Sequence, residues 1–206
     1  MVQLLTDETY HIYNRGVEKR DIFCDTEDYR YFWHALEYFN TDNSRRMRPQ
    51  RQIKQHGRSR TSPTQLITIH AACLMPNHFH IVATQNTDGG LSKFLQKLGT
   101  GFTHFFNKKY ERSGAIFQGK TKKKHVVDDV YYQHLLRYVL CNPLSIKLGN
   151  DMWKRDTVVN ASACMNFLKQ YPWLYVRDIK LFDYIKEELH NGDVSLGEVE
   201  LRPDEY

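Results

Sequence analysis

Two short stretches hold the residue types and spacing that could do chemistry. Residues 75–82 read Met-Pro-Asn-His-Phe-His-Ile-Val, and residues 137–143 read Arg-Tyr-Val-Leu-Cys-Asn-Pro. In the first, His78 and His80 flank one apolar residue inside a strand-like run. Strand side chains alternate between faces, so both imidazoles project to one side while Phe79 enters the core. In the second, Tyr138 and Asn142 lie four apart on a helical pattern and share a helix face. If that face packs over the histidines, two imidazoles, an amide oxygen and a phenol meet. Such a set suits metal-assisted attack of tyrosine on a phosphodiester.

The chemistry explains the residue types. A phosphodiester resists nucleophiles because its oxygens are negative, and a bound cation neutralises that charge and orients the phosphate. Two imidazoles and one amide leave coordination positions open for phosphate oxygen and water. All three ligands are neutral, which favours loose binding of Mg²⁺ or Mn²⁺, with the imidazoles tilting towards Mn²⁺. A phenol, with a pKa of about 10, leaves far more readily than a serine alkoxide, so a phosphotyrosine bond can be reversed by a free hydroxyl. Each stretch alone has a plainer reading, since His-x-His pairs and helical tyrosines are usually structural or surface groups. No general base stands out, because His70, His125 and Gln118 read as structural or surface residues.

The elements that must position these groups follow from periodicity. Residues 9–14 alternate as a first strand, ended by Arg15-Gly16. Residues 25–28, Asp-Thr-Glu-Asp, offer a cap for an amphipathic helix over 29–39. Residues 66–74 and 78–84 are strands joined by Pro76-Asn77, hence a hairpin. Leu91, Phe94, Leu95, Leu98, Phe102, Phe105 and Phe106 fall at helical spacing up to about Lys109, and this aromatic stripe reads as core. Residues 120–127 form an edge strand in which Lys122 and Lys124 share one face and Lys123 takes the other. Asp128-Asp129 caps a helix over 130–141 that Asn142-Pro143 ends. Strand, helix, strand, strand, helix, strand is the order of a ferredoxin-like split βαβ unit, an α+β antiparallel sheet with packed helices. The expected organisation is a domain over 1–150 with a basic loop at 43–65, then a helical extension over 151–206. That extension has helices near 158–170 and 178–189 and an acidic tail.

Composition adds a charge argument. The chain has 206 residues and a net charge of +5. The charge is uneven: residues 1–150 carry 22 Lys/Arg against 13 Asp/Glu, and residues 151–206 carry 7 against 11. A basic body implies a polyanionic partner. The four cysteines, Cys24, Cys73, Cys141 and Cys164, show no Cys-x-x-Cys spacing and read as buried free thiols, which suits a reducing cytoplasm. No signal segment or membrane-length apolar run is visible.

Several ordered motifs together resemble one family. The run Leu74-Met75-Pro76-Asn77-His78-Phe79-His80 resembles the His-hydrophobe-His motif of single-tyrosine transposases, and in particular the REP-associated tyrosine transposases. Asn14-Arg15-Gly16, Phe106-Asn107-Lys108-Lys109, the run 114–120 and Arg137-Tyr138-Val139-Leu140-Cys141-Asn142-Pro143-Leu144 fit the same pattern, over about residues 8–148. The resemblance implies a ferredoxin-like nuclease that cuts and rejoins single-stranded DNA near a hairpin with a divalent metal. Tyr138 would be the nucleophile, His78 and His80 metal ligands, and Asn142 the third ligand. Arg15, Lys120, Lys122, Lys123, Lys124 and Arg137 are the candidate DNA contacts. The long basic stretch 43–65 departs from the family pattern, and residues 151–206 match no subgroup. The molecule could act as a monomer or a homodimer. Two other readings stand beside cleavage: a protein that binds a DNA or RNA hairpin without cutting, and a metal-dependent hydrolase in which Tyr138 only orients water.

Overall fold

Strands buried on both faces build the sheet, and the computed structural model describes residues 4–42, 64–148, 160–182 and 185. The strands are β1 (Thr9–Arg15), β2 (Ile67–Met75), β3 (His78–Gln85), β4 (Lys122–His125) and β5 (Leu174–Val176). They form one sheet in the order β4-β1-β3-β2-β5, and every pairing is antiparallel. The first four strands thus take the ferredoxin-like arrangement expected from the sequence. Helices α1 (Thr26–Tyr38), α2 (Gly90–Lys109), α3 (Asp129–Cys141), α4 (Leu144–Leu148) and α5 (Ala161–Gln170) complete the fold.

The two faces of the sheet carry separate cores. On one, Ile12, Leu74, Phe79 and Ile81 meet Phe32 of α1 and Phe94, Leu98 and Phe102 of α2. Phe79 is 2% exposed, and its ring centroid lies 5.0 Å from that of Phe32. Burying one such aromatic contributes about 1.5–3 kcal/mol. The aromatic stripe of α2 is therefore core, as its spacing indicates. On the other face, Ala71, Cys73, Met75 and Val82 meet Leu135, Val139 and Leu140 of α3 and Met165 and Leu168 of α5. The candidate chemistry lies on this second face.

Caps set the helix starts. Asp25 accepts from the backbone N–H of Glu27 at 2.9 Å and of Asp28 at 3.2 Å, while Asp28 reaches back to the N–H of Asp25. This is a reciprocal capping box. Asp28 is fully buried and also accepts from Tyr110 Oη at 2.7 Å and Lys109 Nζ at 2.8 Å, tying the start of α1 to the end of α2. Asp128 caps α3 by accepting from Tyr131 N at 2.7 Å. Asn142 keeps helical backbone angles, φ −52° and ψ −40°, so it stays in register with Tyr138 even though Pro143 follows.

Two expectations need correction. The extension after residue 150 is not purely helical, because Leu174–Val176 pairs with Ala71–Cys73 and adds a fifth strand to the sheet. Three residues are too short to give a period, so only the open edge of β2 reveals their role. Cys24 is exposed, unlike Cys73, Cys141 and Cys164. It precedes the α1 cap, where its backbone N–H is held by Asp28 at 2.8 Å and its thiol has no core to enter. The basic stretch from residue 43 to 63, the acidic tail and half of the helix expected near 178–189 lie outside the described residues.

Candidate active site

The hairpin delivers the histidines as alternation requires. His78 pairs with Arg15 and Met75, and His80 pairs with Tyr13 and Cys73. His11, Tyr13 and Arg15 of β1 therefore share the face of His78 and His80. β4 continues it, since Lys122 pairs with Tyr13 and Lys124 with His11. Helix α3 crosses the same face and brings Tyr138 and Asn142 from one side of its barrel.

The four residues singled out for chemistry converge. His78 Nε2 lies 3.2 Å from Asn142 Oδ1, and His80 Nε2 lies 3.5 Å from the Tyr138 hydroxyl. The His80 and Tyr138 rings meet edge-on at 88°, with centroids 5.1 Å apart. His78 and His80 also meet edge-on, with centroids 5.1 Å apart. Tyr138, Asn142 and His80 are each 5% exposed or less, while His78 is half-buried. The site is thus a largely buried cluster of polar groups, most accessible at His78.

Each histidine has its other ring nitrogen engaged. His80 Nδ1 lies 2.9 Å from His11 Nε2, and His78 Nδ1 lies 2.6 Å from Asn77 Oδ1. His11 is 1% exposed, and burial followed by the charge of Lys124 pushes its pKa down to about 3. It is neutral at physiological pH and holds the His80 ring by a hydrogen bond and a stacked contact, with centroids 5.1 Å apart. Its Nδ1 is buried without a hydrogen-bond partner, a small cost accepted to orient His80.

The residues present fit a divalent cation of the kind the resemblance implies. The two imidazoles and the amide oxygen lie in one cluster, and both imidazoles are braced at Nδ1, as metal-ligating histidines usually are. The set contains only neutral donors. Among the described residues no group of three or more His, Cys, Asp or Glu side chains could hold a metal ion.

The candidate basic residues divide by position. Arg15, hydrogen-bonded from Nε to Gln118 Oε1, and Lys122 and Lys124 lie on the site face. Lys122 Nζ sits 5.7 Å above the Tyr13 ring, and Lys124 Nζ sits 5.1 Å above the Tyr131 ring. Lys123 pairs with Ile12 and points to the opposite face, as alternation demands. Lys120 is exposed in the loop before β4, and Arg137 is half-buried on α3, about 100° around the helix from Tyr138. His70 bonds Thr84 at 2.7 Å, and His125 bonds Glu8 at 2.8 Å, so both serve structure.

His11, Tyr13 and Asn77 were not singled out from sequence. Strand alternation in 9–14 puts His11 and Tyr13 on one face, and that signal was available. Which strand lies beside β3 was needed to use it. Asn77 read only as turn chemistry.

No family model matches the chain, and no curated protein matches it. A solved structure of a REP-associated tyrosine transposase bound to a REP hairpin is similar, with a TM-score of 0.49 and 18% identity, covering 72% of this chain and 73% of that one. A likeness of this size says nothing about individual residues, whose roles rest on the geometry above. No described helix is long and apolar enough to cross a membrane.

Proposed function

We propose that the protein is a transposase-like endonuclease and strand transferase acting on single-stranded DNA beside a hairpin. The observation that carries this reading is the meeting of four side chains, two from β3 and two from α3, in one pocket. His78 Nε2 faces Asn142 Oδ1 at 3.2 Å, and His80 Nε2 faces the Tyr138 hydroxyl at 3.5 Å. Nothing in packing a core requires this combination, because polar groups buried together cost free energy unless paired.

In this reading His78 Nε2, His80 Nε2 and Asn142 Oδ1 hold Mg²⁺ or Mn²⁺. A bound divalent cation supplies charge neutralisation and orientation for the scissile phosphate. The Tyr138 oxygen attacks phosphorus and loses its proton to solvent. The bond to the 3′ oxygen breaks, and that oxygen takes up a proton as a free 3′-OH. The product is a 5′-phosphotyrosine, which a 3′-OH can later attack to rejoin a strand without ATP. Tyr138 is only 5% exposed, so the attack needs its phenol to swing outward or α3 to shift. Arg15, Lys122 and Lys124 on the site face contact phosphates, with Lys120, Lys123 and Arg137 further from the pocket. Such contacts fix position and carry no base information.

In this reading the protein works on hairpin DNA in the cytoplasm, as monomer or homodimer. Covalent capture tests the proposal. Wild-type protein incubated with a labelled hairpin carrying a single-stranded flank and Mn²⁺ should leave label on the protein band of a denaturing gel. A protein that binds hairpins without cutting, or a hydrolase in which Tyr138 orients water, leaves none.

A further inference from the structure

We propose that Asn77 is a positioning residue that fixes the tautomer of His78 and so turns its Nε2 lone pair towards the pocket. This rests on the reading of His78 as a metal ligand given above. The argument begins with the amide. Asn77 Nδ2 donates to the Lys19 carbonyl at 3.2 Å, and Asn77 Oδ1 lies 2.6 Å from His78 Nδ1. Turning the amide over would set two carbonyl oxygens against each other at Lys19, so Oδ1 is the end that faces the ring. Asn142 Oδ1, 3.2 Å from Nε2, also only accepts, so two oxygens compete for the single proton of a neutral ring. The shorter contact, at Asn77, holds it on Nδ1, which leaves Nε2 and Asn142 Oδ1 as two facing acceptors, an arrangement that a cation between them would satisfy.

The Lys19 carbonyl is itself placed by an unusual loop. Glu18 and Lys19 have φ of 55° and 59°, a left-handed conformation that two successive non-glycine residues rarely share. Such a run persists only where surrounding bonds over-determine it. Here Gly16 N donates to Asn77 O at 2.8 Å, while Ile22 N and Phe23 N donate to Pro76 O at 2.8 and 2.9 Å. The loop doubles back so closely that a Cβ on residue 16 would meet the Arg20 carbonyl oxygen at 2.0 Å, which requires glycine. Ile22 and Phe23, 2% and 3% exposed, anchor it in the core. The loop thus grips the Pro76-Asn77 turn by backbone, and by Lys19 it grips the one side chain that orients His78. A mere turn-former would need none of this.

The test reads the ring directly. Protein with ¹⁵N-labelled histidine, free of metal, is examined by long-range ¹H–¹⁵N correlation at pH 8, and His78→Ala identifies the His78 signals by their loss. Wild type should show His78 protonated at Nδ1. Asn77→Ala should move the population to the Nε2–H form and weaken Mn²⁺ binding, titrated without DNA, by 10–100-fold. Asn77→Asp, which keeps an oxygen acceptor beside Nδ1, should restore the wild-type tautomer. A wild-type His78 protonated at Nε2 would overturn the proposal, whether or not any variant folds. So would an unchanged tautomer in Asn77→Ala. If Mn²⁺ binds His78→Ala as well as wild type, the metal reading of the site fails, while the tautomer data still decide the role of Asn77.

Discussion

The Tyr138 hydroxyl lies 3.5 Å from His80 Nε2, with the two rings edge-on at 88°. At that separation the contact is at the edge of hydrogen bonding. On the far side of His80, His11 Nε2 lies 2.9 Å from Nδ1, within the core. The His80 ring is thus braced by His11 on one side and meets the phenol on the other.

The ligand set gives the first prediction. His78→Ala and His80→Ala should each abolish cleavage in Mg²⁺ or Mn²⁺ while leaving the melting temperature near that of wild type for His78, the more exposed of the two. Asn142→Ala should retain part of the activity, because water can replace one neutral ligand. Cleavage rates in a gel assay, with and without exhaustive chelation, check this. Wild-type cleavage that survives chelation removes the metal from the mechanism.

A second prediction separates the lysines of β4 by face. Lys122→Ala and Lys124→Ala together should lower the slope of log affinity against log salt by about 0.7 for each lost phosphate contact on single-stranded DNA. Lys123→Ala, on the opposite face, should leave the slope unchanged. Preference for one hairpin over another should persist in both variants. Fluorescence anisotropy at several salt concentrations measures both quantities, and equal slopes in every variant would make these charges ordinary solvated surface.

Stability provides a third. Lys109 meets Asp25 at 2.6 Å, Glu27 at 3.2 Å and the buried Asp28 at 2.8 Å. Lys109→Met should destabilise the fold by roughly 2–4 kcal/mol at pH 7, because Asp28 is left as a buried carboxylate without its cation. The hydrogen bond from Lys109 also holds the Asp25 carboxyl below its usual range. A carboxylate with a lowered folded pKa contributes stability above its unfolded value of 3.8, and the contribution is lost as pH falls further. The gap between wild type and Lys109→Met should therefore narrow from pH 5 to pH 3. Urea unfolding at the two pH values tests it, and a gap that widens on acidification contradicts it.

Much of the fold was legible because its periods are strong. Alternation located β1 and the face of the β3 histidines, a β-branched and apolar run located β2, and the apolar spacing of Leu91 to Phe106 located α2 within a residue. The pairing of His78 with His80 and of Tyr138 with Asn142 also followed from period alone, and the structure brings the two pairs together. What remained hidden depends on neighbours in space. His11 is useful only because β1 lies beside β3. The role of Asn77 depends on a loop sixty residues earlier whose Glu18 and Lys19 carry no sequence mark of their left-handed angles. Strand β5 is too short to show alternation, and Cys24 looks apolar in sequence although it lies outside either core.

The most direct measurement is to find where DNA becomes attached. Wild-type protein and Tyr138→Phe are incubated with a hairpin substrate and Mn²⁺, digested with protease and nuclease, and the modified peptide is sequenced by mass spectrometry. Tyr138→Phe removes one oxygen from a side chain already packed at 5% exposure, so folding and hairpin binding should be close to normal. Wild type should carry a nucleotide through phosphate on Tyr138, and Tyr138→Phe should carry none and cut nothing. An undiminished adduct in Tyr138→Phe, with the nucleotide on Tyr131, Tyr132 or any other residue, would contradict the central claim.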